Sequence, residues 1–118
     1  MTQTPPTTSY ERGDVVLIGF KFPKKASMKQ RPALVVSSKT YNQGRQEVVL
    51  SAITSHDRQT LPGDTVLQDW KKCGLWAPST ATGILRTVKV ETIMTRLGKA
   101  SPRDLRSVGA SLRLSVGL

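Results

Sequence analysis

The sequence has few of the side chains on which many enzymes and many disulfide-stabilised domains depend. Among 118 residues there is one cysteine, Cys73, and one histidine, His56. One cysteine excludes an internal disulfide and a cysteine cluster for zinc, and one histidine excludes any mechanism that needs two imidazoles. Because the carboxylates are scattered, we expect neither a metal site nor a cofactor.

Long apolar runs are also missing. The N-terminal stretch MTQTPPTTSYE has no apolar core of signal-peptide length, and no segment approaches the ~20 apolar residues that span a bilayer. We therefore expect a soluble, cytoplasmic protein with no membrane partner. The length fits one domain, which we place at residues 11–118 after a disordered or loosely packed tail at 1–10.

Acidic residues are scarce: 8 Asp and Glu stand against 18 Lys and Arg, for a formal net charge of +10. Such an excess attracts polyanions, so RNA, DNA or an acidic protein is the expected partner. One basic stretch carries no acid and contains Lys21, Lys24, Lys25, Lys29 and Arg31. We expect it to contact an RNA backbone; the alternative is a solvated loop that binds nothing.

Short β-rich segments separated by polar turns predict an antiparallel sheet curled into a small barrel. The predicted strands cover residues 15–20, 31–38 and 47–55, and residues 84–98 are strand-like with some helical character. Residues 23–30 read as a polar connection, residues 39–46 as a turn, and residues 69–76 as one helical turn.

The C-terminal segment has the features of a helix from about Pro102 to Leu114. Ser101 is a good N-cap, Pro102 suits the first helical position, and Asp104 lies where the helix dipole favours an acid. An apolar stripe follows at helical spacing: Leu105, Val108 and Leu112. The predicted fold is thus mainly β, with one closing helix.

Three segments occur in a specific order: RGDVVLIGF at 12–20, RPALVVSSKTYN at 31–42 and VVLSAITS at 48–55. Together with the closing TRLGKASPRDLRSVGASLRLSVGL, they resemble the PemK/MazF family of toxin endoribonucleases from bacterial toxin–antitoxin pairs. The resemblance implies an SH3-like β-barrel, a homodimer, and an acidic antitoxin encoded by the adjacent gene that occupies the RNA groove. It also implies metal-free cleavage of single-stranded RNA, mainly mRNA, at short sequence motifs through a 2′,3′-cyclic phosphate.

The family's catalytic pair falls on Arg31 and Thr54. In this chemistry the adjacent 2′-hydroxyl attacks the phosphorus, and charge develops on the non-bridging oxygens. A fixed guanidinium stabilises that charge through two hydrogen bonds. Pro32 keeps Arg31 out of the α region, and the β-branch of Thr54 restricts its rotamers, so both side chains are partly pre-positioned.

The proton carriers are less clear from the sequence. Some relatives have an acid before the last long strand, but the corresponding segment here reads TGILRT, with Gly83 near that position. His56 and Asp57 follow Thr54 and are candidates for proton transfer. Further candidate RNA contacts are Ser55, Ser79 and Arg86. Trp70, Trp76 and Tyr41 either stack on bases or pack in the core or a dimer.

Two other functions fit parts of the sequence. One is a catalytically silent module of the same fold that binds RNA or sequesters the antitoxin. The other is a toxin of the related CcdB fold that acts on DNA gyrase. The pair formed by Arg31 and Thr54 is not expected in CcdB-like proteins, so it favours the endoribonuclease.

Overall fold

A computed structural model describes residues 9–22, 25–55 and 59–118, with the backbone alone at 20–22 and 25–29. The elements in chain order are β1 (Asp14–Phe22), β2 (Lys25–Val35), α1 (Lys39–Arg45), β3 (Glu47–Ser55), β4 (Thr65–Val66), β5 (Ser79–Lys89), a 3₁₀ turn (Val90–Thr92), β6 (Ile93–Lys99) and α2 (Pro102–Val116). Within these described ranges, no helix is long and apolar enough to cross a membrane.

The six strands form one sheet in the order β4-β5-β3-β2-β1-β6, and every neighbouring pair is antiparallel. β5 is long enough to pair with β4 near its start and with β3 along its length. Ser51 and Ile53 of β3 pair with Leu85 and Ala81, so the extra residues of a bulge lie in β5. Such a bulge bends the sheet. The predicted fold class, mainly β with an antiparallel sheet and a C-terminal helix, is confirmed; within the described residues β4 and β6 do not pair, so the predicted barrel is an open sheet.

Apolar side chains pack on both faces of the sheet. The helix-side cluster joins strand residues such as Leu34 and Ile53 to Val108 of α2, and the segment after β4 adds Leu67, Cys73 and Leu75. The opposite face carries the far-side cluster: Tyr10, Val16, Ile18, Ala33, Val35, Val48, Leu50 and Ile93. Two-sided burial explains the nearly continuous apolar runs in β1 and β3, where a one-sided sheet would alternate with polar residues.

The start of α2 is fixed by polar contacts to the segment between β4 and β5. Ser101 caps the helix by accepting a hydrogen bond from the Asp104 backbone N–H, and Pro102 begins it. The Asp104 carboxylate is only 1% exposed and accepts bonds from the backbone N–H groups of Gln68 and Asp69, each at 2.8 Å. The predicted helix and its cap are confirmed, with two further residues at the C-terminal end.

The Asp69 side chain adds an ion pair at the same place. It accepts two hydrogen bonds from Arg103, at 2.7 and 2.8 Å, and one from Ser101. The bonds from Arg103 and then that from Ser101 hold the pKa of Asp69 well below its ordinary value, while burial raises the pKa of Cys73 nearby. We call the network of Asp69, Ser101, Arg103 and Asp104 the helix-start network.

Two predicted connections are wrong. Residues 39–46, expected to form a turn, contain α1, because Ser38 caps it and the buried Asn42 holds it to the fold. Asn42 donates to the Tyr10 carbonyl at 2.8 Å and accepts from the Ser37 hydroxyl. Of the connection predicted at 23–30, residues 25–30 belong to β2 and pair with β1.

Of the predicted N-terminal tail, residues 1–8 lie outside the described part of the chain. Tyr10, which the sequence places at the end of that tail, is 8% exposed and belongs to the far-side cluster. Its ring also lies 5.2 Å from the Arg96 guanidinium, so it packs with the folded domain.

Candidate functional site

Arg31 of β2 and Thr54 of β3 lie just beyond the point where the pairing of these two neighbouring strands stops. The last pair between β2 and β3 is Ala33 with Ala52, and Arg31 and Thr54 each stand two residues beyond it. Because side chains two residues apart share a strand face, both lie on the face of the far-side cluster. The antiparallel register therefore brings together two residues that are 23 positions apart in the sequence.

The neighbouring strands extend this arrangement into a row across the sheet. Thr54 pairs with Thr80 of β5, and Arg31 pairs with Ile18 of β1, which in turn pairs with Ile93 of β6. Ile18 and Ile93 are buried, at 4% and 9% exposure. Three polar residues, Thr80, Thr54 and Arg31, thus border the apolar far-side cluster at one end; we call them the polar row.

The Thr54 hydroxyl is buried, and its Oγ1 has no hydrogen-bond partner among the residues that the structure describes. Other buried hydroxyls on these strands are bonded. Ser51 donates to the Thr82 carbonyl and Thr82 to the Ala52 carbonyl, both at 2.6 Å. A buried hydroxyl without a partner costs stability, so Thr54 differs from its neighbours in a way that strand formation does not explain.

The Arg31 side chain is exposed and makes no hydrogen bond or ion pair with the described part of the chain. Three other arginines form ion pairs: Arg96 with Asp14 at 3.0 Å, Arg45 with Glu47 at 3.0 Å, and Arg103 with Asp69. A guanidinium on a rigid strand with no internal acceptor can receive an external anion through two parallel hydrogen bonds.

Ser55 and Ser79 lie next to the polar row, because they form the pair that follows Thr54 and Thr80. Ser55 is exposed. Ser79 is 6% exposed and its hydroxyl donates to the Ala77 carbonyl at 2.7 Å, so that hydroxyl already has a structural partner.

The predicted basic stretch extends from the polar row along the hairpin formed by β1 and β2. Lys21 pairs with Met28, Lys29 with Phe20, and Lys25 with Phe22, all farther along the hairpin than Arg31. Lys24 lies outside the described residues. The backbone therefore places this basic stretch at the same end of the molecule as Arg31.

Arg86 is not brought to the polar row. It pairs with Leu50, on the other side of the β5 bulge from Thr80. The two candidates for proton transfer, His56 and Asp57, lie outside the described residues.

The segment around Gly83 lacks the acid that some relatives have there, but the structure places another carboxylate, that of Asp64, against the Gly83 backbone. The sequence did not predict this contact. Asp64, in the turn before β4, accepts a hydrogen bond from the Gly83 backbone N–H at 2.8 Å and another from the Leu61 backbone N–H at 2.9 Å. These two backbone hydrogen bonds hold the turn before β4 against the Gly83 backbone of β5. No sequence signal pairs residues 64 and 83; only the strand register does.

No curated protein matches the chain closely enough to count as a relative. Several solved structures share its fold. An endoribonuclease in complex with its cognate antitoxin from a mycobacterial species is 20% identical, with a TM-score of 0.77 over 93% of this chain and 97% of that one. A MazE–MazF complex from Deinococcus radiodurans is 21% identical, with a TM-score of 0.76 over 94% and 99% of the chains. The Mycobacterium tuberculosis toxin MazF-mt6 is 16% identical, with a TM-score of 0.71 over 89% and 97%.

The family comparison is more specific than the likeness of fold. Residues 11–116 match the family described as the PemK-like, MazF-like toxin of type II toxin–antitoxin systems. That match spans β1 to the end of α2 and includes the whole polar row. The chain therefore belongs to the PemK/MazF family of type II toxin–antitoxin toxins.

Proposed function

We propose that the protein is a sequence-specific endoribonuclease that cleaves single-stranded RNA, mainly mRNA, without a metal ion. One observation carries this proposal: an exposed Arg31 and a buried Thr54 hydroxyl, neither with a partner among the described residues, lie on neighbouring strands two residues beyond their last pair. The family match and the endoribonuclease named among the similar structures support it.

In the proposed reaction, the 2′-hydroxyl of the nucleotide before the cleaved bond attacks the phosphorus, and the 5′-oxygen leaves. The products are a 2′,3′-cyclic phosphate and a 5′-hydroxyl. Arg31 donates to the non-bridging oxygens as charge develops on them, and it stays protonated throughout. His56 and Asp57 are the candidates for proton transfer.

Thr54 supplies a second hydrogen bond to the same phosphate. Its Oγ1 is buried, so the side chains around it must shift slightly when RNA binds. The Thr54 hydroxyl then gains a hydrogen-bond partner only when RNA is bound, so the free energy of that hydrogen bond stabilises the complex. The basic stretch of Lys21, Lys24, Lys25 and Lys29 contacts the RNA backbone. Ser55 and Ser79 are further contacts beside Thr54 and Thr80, and Arg86 is one farther from the polar row.

The proposal includes two protein partners. A second copy of the chain forms a homodimer, and an acidic antitoxin encoded by the neighbouring gene competes with RNA for the cationic surface. The net charge of +10 supports an acidic partner.

The test is to incubate the purified protein with a mixed single-stranded RNA in excess EDTA and to identify the new ends. We expect discrete fragments with 2′,3′-cyclic phosphate and 5′-hydroxyl ends. RNA that binds but stays intact would instead identify a silent RNA-binding module, and 3′-hydroxyl products would contradict the proposed chemistry.

A further inference from the structure

The sequence leaves open which of Tyr41, Trp70 and Trp76 faces a base, and the structure separates them. Trp70 packs against the helix-side cluster, with the Lys71 ammonium 5.4 Å from its ring. Tyr41 lies on α1, which follows the C-terminal end of β2, and its ring lies 5.3 Å from the Arg45 guanidinium. Trp76 is 72% exposed, the only exposed aromatic ring among the side chains that the structure describes.

Trp76 is exposed although the backbone on both sides of it is held. Leu75 is 7% exposed in the helix-side cluster, and its N–H donates to the Trp70 carbonyl at 3.2 Å. On the other side, the Ala77 carbonyl accepts the Ser79 hydroxyl at 2.7 Å. An indole on a held backbone loses little entropy when it meets a ligand, and its apolar surface gains when it is covered.

This segment enters the sheet at the end that carries the polar row. Trp76 precedes Ser79 by three residues, and Ser79 is the first residue of β5. Ser79 pairs with Ser55, and the next pair is Thr80 with Thr54. Trp76 is thus connected to the polar row by a few residues of fixed backbone.

We propose that Trp76 stacks on an unpaired base of the RNA strand whose phosphate lies at Arg31. This inference rests on the proposed function and adds a base-binding residue to it. Residues 75–84 carry no charge, so this segment offers an RNA strand a ring and backbone groups rather than ion pairs. A flat indole face suits an unstacked base, and every base offers such a face.

The first test uses the chain's two tryptophans as separate probes. Trp70→Phe leaves Trp76 as the only tryptophan, and Trp76→Phe leaves Trp70, so selective tryptophan excitation reports on one ring at a time. Each variant is titrated with a mixed-sequence single-stranded RNA whose 2′-hydroxyls are all methylated, which blocks cleavage. We expect the RNA to quench Trp76 and to leave Trp70 nearly unchanged; bound RNA without quenching of Trp76 overturns the inference.

The second test needs no change at Trp70. Binding of the methylated strand is compared with binding of an abasic strand of equal length, which keeps the phosphate charge. Trp76→Ala should weaken binding of the base-bearing strand roughly 5- to 150-fold and leave the abasic strand within about twofold. Leu114→Ala, which changes another exposed apolar side chain on α2, should leave both unchanged.

The outcomes separate the stacking from the proposed function. If the wild-type protein cleaves RNA while Trp76→Ala binds the base-bearing strand normally, only the stacking is wrong. If neither strand binds to the wild-type protein, both proposals fail. Equal weakening on the two strands, or a Trp76 signal that responds to protein dilution or to the antitoxin but not to RNA, assigns Trp76 to structure or to a protein interface and overturns the stacking.

Discussion

The polar row and the helix-start network lie at different places in the fold, and they differ in whether their polar groups have hydrogen-bond partners. In the helix-start network, the Asp104 carboxylate satisfies two backbone N–H groups, and Asp69 pairs with Arg103 and Ser101. In the polar row, Arg31 and the Thr54 hydroxyl have no partner among the described residues. Fully satisfied polar groups stabilise a fold, whereas unsatisfied ones on rigid strands are available to a ligand.

This contrast predicts that changes in the polar row affect activity with little effect on stability, and that changes in the helix-start network do the reverse. The largest effect is expected for Arg31→Ala. It removes a donor to the transition-state charge and should lower the cleavage rate roughly 10²- to 10³-fold. The thermal midpoint should stay close to that of the wild type, because Arg31 is exposed and has no partner in the described part of the chain.

Arg106→Ala is the matched control, since it removes the same charge from an exposed position on α2. Both variants are compared by single-turnover RNA cleavage and by thermal melting. Equal activities for the two would show that Arg31 acts only through net charge and would remove it from the site.

The next largest effect is expected for Asp104→Ala, on stability. It leaves two backbone N–H groups unsatisfied next to a buried position and should lower the free energy of unfolding by about 2 to 4 kcal/mol. Asp104→Asn keeps one acceptor oxygen and should lower the free energy of unfolding by less. Urea unfolding measures both, and an Asp104→Ala variant as stable as the wild type would contradict the role given to this network.

Thr54→Val tests whether Thr54 contributes to activity without contributing to stability. Valine keeps the shape of threonine and removes a buried hydroxyl that has no partner among the described residues, so the free energy of unfolding should stay equal or rise by up to about 1 kcal/mol. Cleavage should fall about 10- to 100-fold, because a hydrogen bond to a charged phosphate is lost. A variant that loses stability and activity in parallel would show that Thr54 is a structural residue.

The sequence predicted the strands that carry this site, but not the arrangement of the site itself. β1, β3 and α2 follow from apolar patterning and from the cap at Ser101, which are local signals. The placement of Arg31 near Thr54 depends on the register between β2 and β3. The hydrogen bond between Asp64 and the Gly83 backbone depends on the pairing of β4 with β5. Neither pairing is encoded in the spacing of the residues concerned.

The two wrong predictions have the same physical origin. Asn42 and Gly44 are residues that favour turns, yet α1 forms because the Asn42 side chain bonds to Tyr10, 32 residues earlier. Residues 25–30 are mostly polar, with only Ala26 and Met28 alternating with polar side chains, yet they pair with β1 as an extension of the hairpin. Tertiary contacts and backbone pairing outweighed the local signal in both places.

A smaller effect is expected from the basic stretch. Lys24→Ala combined with Lys25→Ala should weaken RNA binding and reduce the slope of log affinity against log salt by about 1.4, since each lysine contributes about 0.7 for a single strand. Lys71→Ala combined with Lys72→Ala removes two adjacent exposed lysines near the helix-start network and is the control. Equal slopes for the two double variants would mean that the basic stretch attracts RNA only through net charge.

The smallest effect is expected at Asp69, and it depends on pH. The bonds from Arg103 and Ser101 lower the pKa of Asp69 in the fold below its ordinary value of 3.8. The folded state therefore releases this proton more readily than the unfolded chain, and the stabilisation is complete above that ordinary value and declines as the pH falls below it. Asp69→Asn lacks this contribution, so the free energies of unfolding of wild type and variant should differ most at neutral pH and converge in acid.

Urea unfolding at pH 7 and at about pH 3 measures the two differences in the free energy of unfolding. A gap between the proteins that stays constant with pH would mean that Asp69 stabilises the start of α2 through its hydrogen bonds alone, with no contribution from its charge.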